Sequence, residues 1–497
     1  MPDRISQSQL WQIQQDFYQT LGMEAWDNKA PFYVTNSQVM AESYADLVIA
    51  FLLDQTMDPD QPVYILELGS GTGRLGFNFA RELQRKQAFF PQLARLRLIT
   101  VLSDIVEENV AFWESHPSLG KLGQAVDFAL YWPERDHEVR LRKSGQTLQS
   151  LKNPLVVLAN YVFDSMPHDE FTVNQKRVQE CLIEVSPKKV KLHSSPNRLD
   201  IRDVDVVRSY SEIVIEGYYP DGSCEQKVLE HYARRIREGT FMVPTGALEC
   251  VGNLRKIGSL FLLSSDRAFV DARSMSVYPE HPLAIHDGCF SHMVNYHGLS
   301  LIFESYLATQ RYLLDGVQTV CLSDHPVGVH LNYAFRERLD RANALNSANE
   351  LYAIMRDKPP FFNALIGFIR LNLNDPSALS AVAKRLAEMS AHLTYCEHRE
   401  LLATLELVWE NDYHFKGSAN VTFWIGHLFL LRGVYDRALW FFERTVERQG
   451  EDAMLLFLQG NCLQQLSQKA RAKKLYLEAL KIAPGMPEAE QALLTLS

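Results

Sequence analysis

The 497-residue chain is poor in cysteine: it has seven, all far apart and none in a CxxC pair. That scatter excludes a disulfide framework and a zinc knuckle, and it fits a reducing cytoplasmic setting. No apolar run approaches the roughly 20 residues that a bilayer span needs. The amino-terminal MPDRISQSQLWQIQQDFYQ is polar and amphipathic, unlike a secretory signal. Positive charge is not in excess either. Fifty Lys and Arg against 60 Asp and Glu leave a net charge of −10, so the basic face that nucleic-acid binding requires is missing. The short strip Lys188, Lys189 and Lys191 reads as a solvated loop. His281, His286, His292 and His297, with Cys289 among them, follow intervals of 5, 6 and 5. Those intervals match no helix face, strand face or zinc motif, so no metal is expected. No G-x-S-x-G elbow supports a serine hydrolase.

What is present is ordinary globular composition, 46% hydrophobic and 22% charged. The length asks for two or three domains. Between 60 and about 330, short apolar runs (VYILELG, RLRLITVLSD, NPLVVLANY, SLFLLSSD) alternate with longer helical patterns. That alternation predicts an α/β fold with a mostly parallel, Rossmann-like sheet. From about 375 the strand signals stop, and Asp375-Pro376 makes a good N-cap and N1 pair for a new helix. The expected division is therefore 1–375 and 376–497, with 177–245 a substrate segment inserted into the sheet domain. FFNALIGFIRLNL, just before the boundary, reads as a closing strand or a buried helix.

The helical tail repeats with a period of 34: Gly426 and Gly460, Ala438 and Ala472, Phe442 and Tyr476. Small residues let two helices approach and the aromatic fills the gap between them, which is the tetratricopeptide pattern. Pro484 falls where the second helix pair should end. The expected units are 419–452 and 453–486, with GMPEAEQALLTLS as a capping helix. Thr422 and Leu456 stand where the pattern usually starts with Trp, and a plain helical bundle is the alternative. Such repeats offer a concave surface to peptides, so a protein partner is expected there.

The strongest chemical signal is the first strand and its loop, Val63 to Gly73, VYILELGSGTG. Glycines at 69, 71 and 73 permit tight turning and close backbone approach to a ligand. Gly71, Gly73 and Gly76 also spell G-x-G-x-x-G, which raises a dinucleotide site as a rival. Glu67, two residues before the first glycine, favours S-adenosylmethionine instead, because a carboxylate there suits the amino group of a methionine moiety. About 60 residues of helical pattern before the strand point the same way. The expected cofactor contacts are Glu67, Gly69, Ser70, Gly71, Thr72 and Gly73. Asp104, at the tip of the second strand, would accept both ribose hydroxyls; capping the next helix is its other reading. Ile105 would pack on the adenine, with Asp127 and Phe128 as further adenine candidates.

The fourth strand ends in VLANYVFDSMPHDEF. Ligands of doubly wound sheets bind at the carboxyl ends of strands, so Asn160, Asp164 and His168 are the candidate catalytic residues, and Asn160 also a cofactor contact. A His beside a Pro in a loop also reads as polar surface. Here the sequence resembles the MidA family of S-adenosylmethionine-dependent methyltransferases, whose best-known members methylate an arginine in a respiratory complex I subunit. The family reads approximately ANEFFDALP where this chain has ANYVFDSMP, keeping Ala159, Asn160, Phe163, Asp164 and Pro167. PFYVTNSQVMAESYADLVIAFLL, with Thr35 and Val39, is similar to the family's segment before the first strand. LFLLSSDRAF is similar to its ALIIDYG strand, and GCFSHMVNYHGLSLIF to its HVDF block. The resemblance covers roughly 30–330 in blocks.

It implies a class I methyltransferase fold, S-adenosylmethionine as cofactor and a protein side chain as acceptor. Departures bear on arginine: the family's acid after Asn160 is Tyr161, and the aspartates of the HVDF block are Asn295 and His297. A guanidinium keeps its charge and asks for carboxylates; Asp164, Asp169 and Glu170 remain. Two other classes stay open, an assembly protein that works through its repeats without catalysis and a small-molecule methyltransferase.

Overall fold

The structure, a computed structural model, describes every residue except 1, 24–35, 195–198, 278–280, 282, 310–316, 342–360, 419 and 497. Thr35 lies outside the described residues. The chain divides into two compact units, Met1–Asn346 with Phe415–Gly417, and Ser347–His414 with Ser418–Ser497.

The first unit is built on a seven-strand path. In chain order its strands are β1 (Val63–Glu67), β2 (Leu98–Asp104), β3 (Val126–Leu130) and β4 (Leu155–Asn160). After an insertion come β9 (Leu260–Phe269), β10 (Ser305–Ala308) and β11 (Val317–Ser323). Across the sheet the order is β10-β11-β9-β4-β1-β2-β3. β3, β2, β1, β4 and β9 run parallel, while β11 pairs antiparallel with β9 and with β10. The chain starts at β1 and works outward to β3, then returns to β4 on the other side. The order therefore switches between β1 and β4, where the carboxyl ends of the strands open a crevice. Apolar runs make these strands buried on both faces: every residue of β1 and β11 is buried, as helices cover the sheet. The helices α2 (Gln38–Asp54) and α3 (Arg74–Gln87) pack together beside it.

The insertion is a second, antiparallel sheet. β5 (Asp169–Asn174), β6 (Arg177–Pro187), β7 (Val204–Glu212) and β8 (Glu238–Val243) pair as β7-β6-β5-β8, and Asp3–Arg4 adds to β6. It starts at Asp169, ahead of the 177 expected, because Pro167 ends the fourth-strand loop and alternation resumes at once. The helix Leu10–Leu21, α1, lies against this region through buried Leu10, Trp11 and Ile13. Lys188, Lys189 and Lys191 are exposed in a loop.

The second unit is all helical among the described residues. Its first helix is Phe362–Leu371, so FFNALIGFIRLNL is a helix and not a closing strand. Leu365, Ile366 and Ile369 join the core of the helices that follow, which draws this segment into the helical unit ahead of the boundary expected near 375. Asp375 caps Pro376–Met389 by accepting from the Ser377 N–H at 2.8 Å. Val421–Leu431 pairs with Tyr435–Gln449, and Ala453–Gln465 with Lys469–Ile482, before a last helix Pro487–Leu496. A Cβ on Gly460 would stand 2.5 Å from the Tyr476 ring, and one on Gly426 3.0 Å from Phe442. Each glycine thus admits the aromatic of the paired helix, as the 34-residue spacing requires. Among the described residues no helix is long and apolar enough to cross a membrane.

Candidate active site

The crevice at the sheet's switch point is shaped first by the glycine loop. Gly69, Gly71 and Gly73 have φ of +59°, +52° and +76°, the left-handed region that side chains resist. This winds the chain from β1 into α3 and turns the loop onto β2. The Gly71 N–H donates to Asp104 Oδ2 at 2.9 Å, and the Ser70 N–H to the Ser103 carbonyl at 2.8 Å. Thr72 Oγ1 accepts from the Arg74 N–H at 3.4 Å, at the start of α3. Gly76 has a different task. A Cβ there would stand 2.4 Å from Glu67 Oε2 and 2.7 Å from Leu102 Cγ. The third glycine of G-x-G-x-x-G therefore makes room for a carboxyl group.

That carboxyl is buried at the end of β1, and Ser70 Oγ donates to it at 2.8 Å. Burial pushes the Glu67 carboxyl up to about 8, against the Ser70 hydrogen bond. Asp104, buried at the tip of β2, is also pushed up by burial, opposed by N–H donors of Gly71 and Val106 and by Asn109. The Ile105 N–H donates as well, so Asp104 is held by four donors at the mouth of the crevice. The cap reading of Asp104 is also present: its Oδ1 accepts from the Val106 N–H at 3.1 Å, at the start of the next helix.

Two adjoining cavities flank the loop and share Gly69 and Tyr161. The first is lined by Asn36, Glu67, Ser70, Thr72 and Asn160. The second runs past Asp104 and Ile105 to Tyr131 and Trp132, and toward Gln14, Tyr18 and Ser165. Asp127 and Phe128 line neither. They sit in the first half of β3. Asp127 accepts from the N–H groups of Phe128, Lys143 and Ser144 at 2.8 to 3.1 Å, and it faces a bowl at the amino ends of the strands. Phe128 packs against Trp113 in the core. The apolar wall beside Ile105 comes from the residues just after β3, Tyr131 and Trp132, and not from Asp127 and Phe128.

At the end of β4, Asn160 Oδ1 accepts from the Tyr44 hydroxyl at 2.7 Å and the Ser265 N–H at 2.9 Å, which fixes its amide plane. Tyr161 follows at φ +52°, a left-handed position for a bulky residue. Such strain is held only where the surroundings over-determine it; here the Tyr161 N–H donates to the Ser265 carbonyl at 3.1 Å. Asp164 is buried in the turn beyond. Ser165 Oγ donates to its Oδ1 at 3.1 Å, and its own backbone N–H donates to Asp266 Oδ2 at 3.2 Å. Asp266, wholly buried on β9, went unnoticed in the sequence, although SLFLLSSDRAF places it near the end of an apolar strand.

The remaining expectations fall elsewhere. His168 is buried, not surface, between Trp11 and His292, whose ring centroid is 3.8 Å away. Burial holds it well below its usual range, and it lines neither cavity. Asp169 accepts from the Ser6 N–H and the Tyr219 hydroxyl, and Glu170 pairs with Arg208 at 2.7 Å, so both are engaged by the inserted sheet. Asn295 caps the short helix Tyr296–Ser300, accepting from the Gly298 N–H at 2.8 Å, and His297 meets the Tyr232 hydroxyl at 2.8 Å. These two departures from the family pattern therefore lie in packing around β8 and β9, outside both cavities. Among the described residues no three His, Cys, Asp or Glu side chains converge on a metal position.

Residues 48–244 match the family described as "Putative S-adenosyl-L-methionine-dependent methyltransferase". No curated protein matches the chain. Among solved structures, a Burkholderia thailandensis protein described as a "likely methyl transferase", bound to S-adenosyl-homocysteine, aligns at 14% identity and a TM-score of 0.40, over 69% of this chain and 92% of its own. A second, uncharacterized Burkholderia thailandensis protein aligns at 12% identity and 0.33, over 82% of each chain. MamA from Desulfovibrio magneticus aligns at 18% and 0.26, over 31% of this chain and 84% of its own. The family match spans the glycine loop and the strand-end carboxyls Glu67 and Asp104. The chain is an S-adenosylmethionine-dependent methyltransferase, and S-adenosylmethionine is its cofactor.

The residues present fit that cofactor. Buried Glu67 suits a cationic amino group, and Asp104 suits hydroxyls. Asn36 Oδ1 and Asn109 Oδ1 are buried acceptors with no hydrogen-bond partner among the described residues, one in each cavity. Ile105, Tyr131 and Trp132 offer an apolar wall to a flat ring.

Proposed function

We propose that this chain methylates a protein side chain, with arginine among the acceptors it suits, and that its helical repeats recruit the target. The observation that carries this reading is the placing of Asp164 just beyond Asn160, beside the cofactor crevice, with Ser165 facing the second cavity. A cationic acceptor asks for a carboxylate; Glu134 lines the second cavity itself, and Asp164 stands one hydrogen bond behind its wall, through Ser165. S-adenosylmethionine supplies an already activated methyl group. The protein's task is then alignment and handling of one proton. Asn160, held by Tyr44 and Ser265, presents a fixed amide edge to the crevice. Tyr161 lines both cavities, where the methyl group would pass from cofactor to acceptor. Asp164 orients the acceptor. His168 is given no part, since it is walled off among aromatic rings.

The 34-residue repeats support the recruiting role, because paired helices that bury glycine–aromatic contacts leave extended outer faces for a partner. The test is transfer of labelled methyl from the cofactor to proteins of a lysate lacking this chain. Asp164→Asn should lower that transfer by about tenfold or more while S-adenosylhomocysteine affinity stays within about twofold, since the lost contact is to the acceptor. Equal losses in both would make Asp164 a cofactor or structural residue. A wild-type chain that labels only small molecules would replace the protein acceptor with a metabolite.

A further inference from the structure

Asp164, in the turn beyond β4, and Asp266, within the adjacent parallel strand β9, are 102 residues apart in sequence and meet in the interior. The Asp164 N–H donates to Asp266 Oδ2, the two carboxyl groups share a hydrogen bond, and the Arg267 N–H donates to Asp266 Oδ1 at 2.9 Å. Two buried carboxyl groups in hydrogen-bond contact cannot both stay ionised away from water, so one proton belongs to the pair. The groups that face the pair come from every neighbouring element. They are Tyr18 on α1, Tyr44 on α2, Arg267 on β9, Cys289 on the short hairpin of Ala284–His286 with Cys289–Ser291, and Tyr296. Burial pushes the three tyrosines and the thiol upward, so they stay neutral near pH 7. Arg267 alone among these carries charge, and a single cation is balanced by a singly ionised pair.

The pair also has a route to the cavity. Ser165 Oγ lines it, donates to Asp164 Oδ1 and accepts from Gln14 Nε2 at 3.3 Å.

We propose that Asp164 and Asp266 work as one proton-sharing carboxyl pair that takes up the proton released when a nitrogen acceptor is methylated, with Ser165 as the link to the cavity. This rests on the methyltransferase reading of the site. It deepens that reading by naming where the proton released from the acceptor goes and the residue, Asp266, that sets when Asp164 can take it. The step balances. The acceptor nitrogen gains the methyl carbon and its N–H bond breaks. The proton passes to Ser165 Oγ as the Ser165 proton moves to Asp164. The pair goes from one shared proton to two and loses its negative charge, the acceptor keeps the charge it had, and the positive charge that disappears is the methyl donor's. Asp266 is a positioning residue here: it touches no substrate and acts by setting when Asp164 can accept. Burial pushes Asp164 up to about 7, in keeping with a base that is ready at neutral pH and spent below it.

The test has two readouts on the full chain. The first is carboxyl titration by carbon NMR on aspartate-labelled protein loaded with S-adenosylhomocysteine, which needs no acceptor. A pair should titrate in two linked steps, one near neutral pH, and Asp266→Asn should move the remaining Asp164 step up by more than one pH unit, because the hydrogen bond from Asp266 favours ionised Asp164. The second is the pH profile of label transfer to lysate proteins. Its acid limb should fall with a midpoint near 7 in the wild type and shift the same way in Asp266→Asn, with a loss of at least tenfold at pH 7.5. S-adenosylhomocysteine binding reports whether the variant folds. If it does not, Asp164→Asn must abolish the near-neutral step instead. Two independent titrations, or an acid limb unmoved in folded Asp266→Asn, overturn the pair. A normal linked titration in a wild type that labels no protein leaves the pair standing and removes the protein-acceptor reading.

Discussion

Two sets of carboxyl groups stand at the same edge of the main sheet and are built in opposite ways. Glu67 and Asp104, at the tips of β1 and β2, are separate. Each sits among serine or backbone N–H donors placed by the glycine loop. Asp164 and Asp266, beyond β4 and on β9, face each other. The first arrangement offers two independent acceptors to a ligand with a cation at one end and hydroxyls at the other. The second offers a proton store. Burial raises the carboxyls in both sets, yet the contact of Asp164 with Asp266 turns that shift into proton handling, whereas Glu67 and Asp104, which feel each other only through charge, are left to bind a ligand.

The largest effect that would break this contrast is at Gly71. Its φ of +52° and its N–H to Asp104 cannot both survive a β-branched residue. At about 1–3 kcal/mol of strain, Gly71→Val should weaken S-adenosylhomocysteine binding by about 10- to 100-fold in calorimetry. The linked carboxyl titration of Asp164 and Asp266 should persist. Loss of both would mean the two sets are one network.

Affinity for S-adenosylhomocysteine should also depend on pH through Glu67. Its carboxyl is held up to about 8 by burial; a cationic amino group favours the ionised form, so binding releases a proton. Affinity should rise between pH 6 and 7.5 by up to about tenfold per unit, and Glu67→Gln should flatten the rise. A pH-independent affinity in the wild type would contradict the role given to Glu67.

Smaller effects compare the two units. A Cβ at Gly460 would crowd the Tyr476 ring at 2.5 Å, whereas one at Gly426 would meet Phe442 at 3.0 Å. Gly460→Ala should destabilise the helical unit by about 1–3 kcal/mol, and Gly426→Ala by less, in denaturant melts that leave S-adenosylhomocysteine affinity unchanged. The smallest effect concerns the histidines beside the inserted sheet. Burial lowers His168 and His292, and His281 to about 4, against 6.5 for a free histidine. The unfolded chain therefore binds more protons, and stability should fall as pH drops from about 6.5 toward 4. His168→Gln should reduce that slope, read from urea midpoints across pH.

The cofactor side was legible because its chemistry is local. A strand, three glycines and one preceding acid lie within Val63 to Gly73, and their spacing alone dictates a loop that turns toward β2. Asp104 was legible as the polar end of an apolar run. Asp127 misled because an acid at the start of a strand reads like an acid at its end when the boundaries of β3 are unknown. Asp266 was hidden by distance: nothing local in SLFLLSSDRAF says that its carboxyl meets one 102 residues earlier. His168 was misread because a loop that is polar in sequence is walled in by Trp11 of α1 and by His292, contacts with no sequence signal. In the helical unit, period 34 foretold the glycine–aromatic contacts, but FFNALIGFIRLNL had to await its neighbours, since a short apolar run suits a buried helix or a strand equally.

Calorimetry of the full chain with S-adenosylhomocysteine, with NADH as the control, tests the central claim most directly. The account predicts one site that binds S-adenosylhomocysteine, is weakened by Gly71→Val and ignores NADH. A wild-type chain that binds NADH, or binds neither, would contradict it.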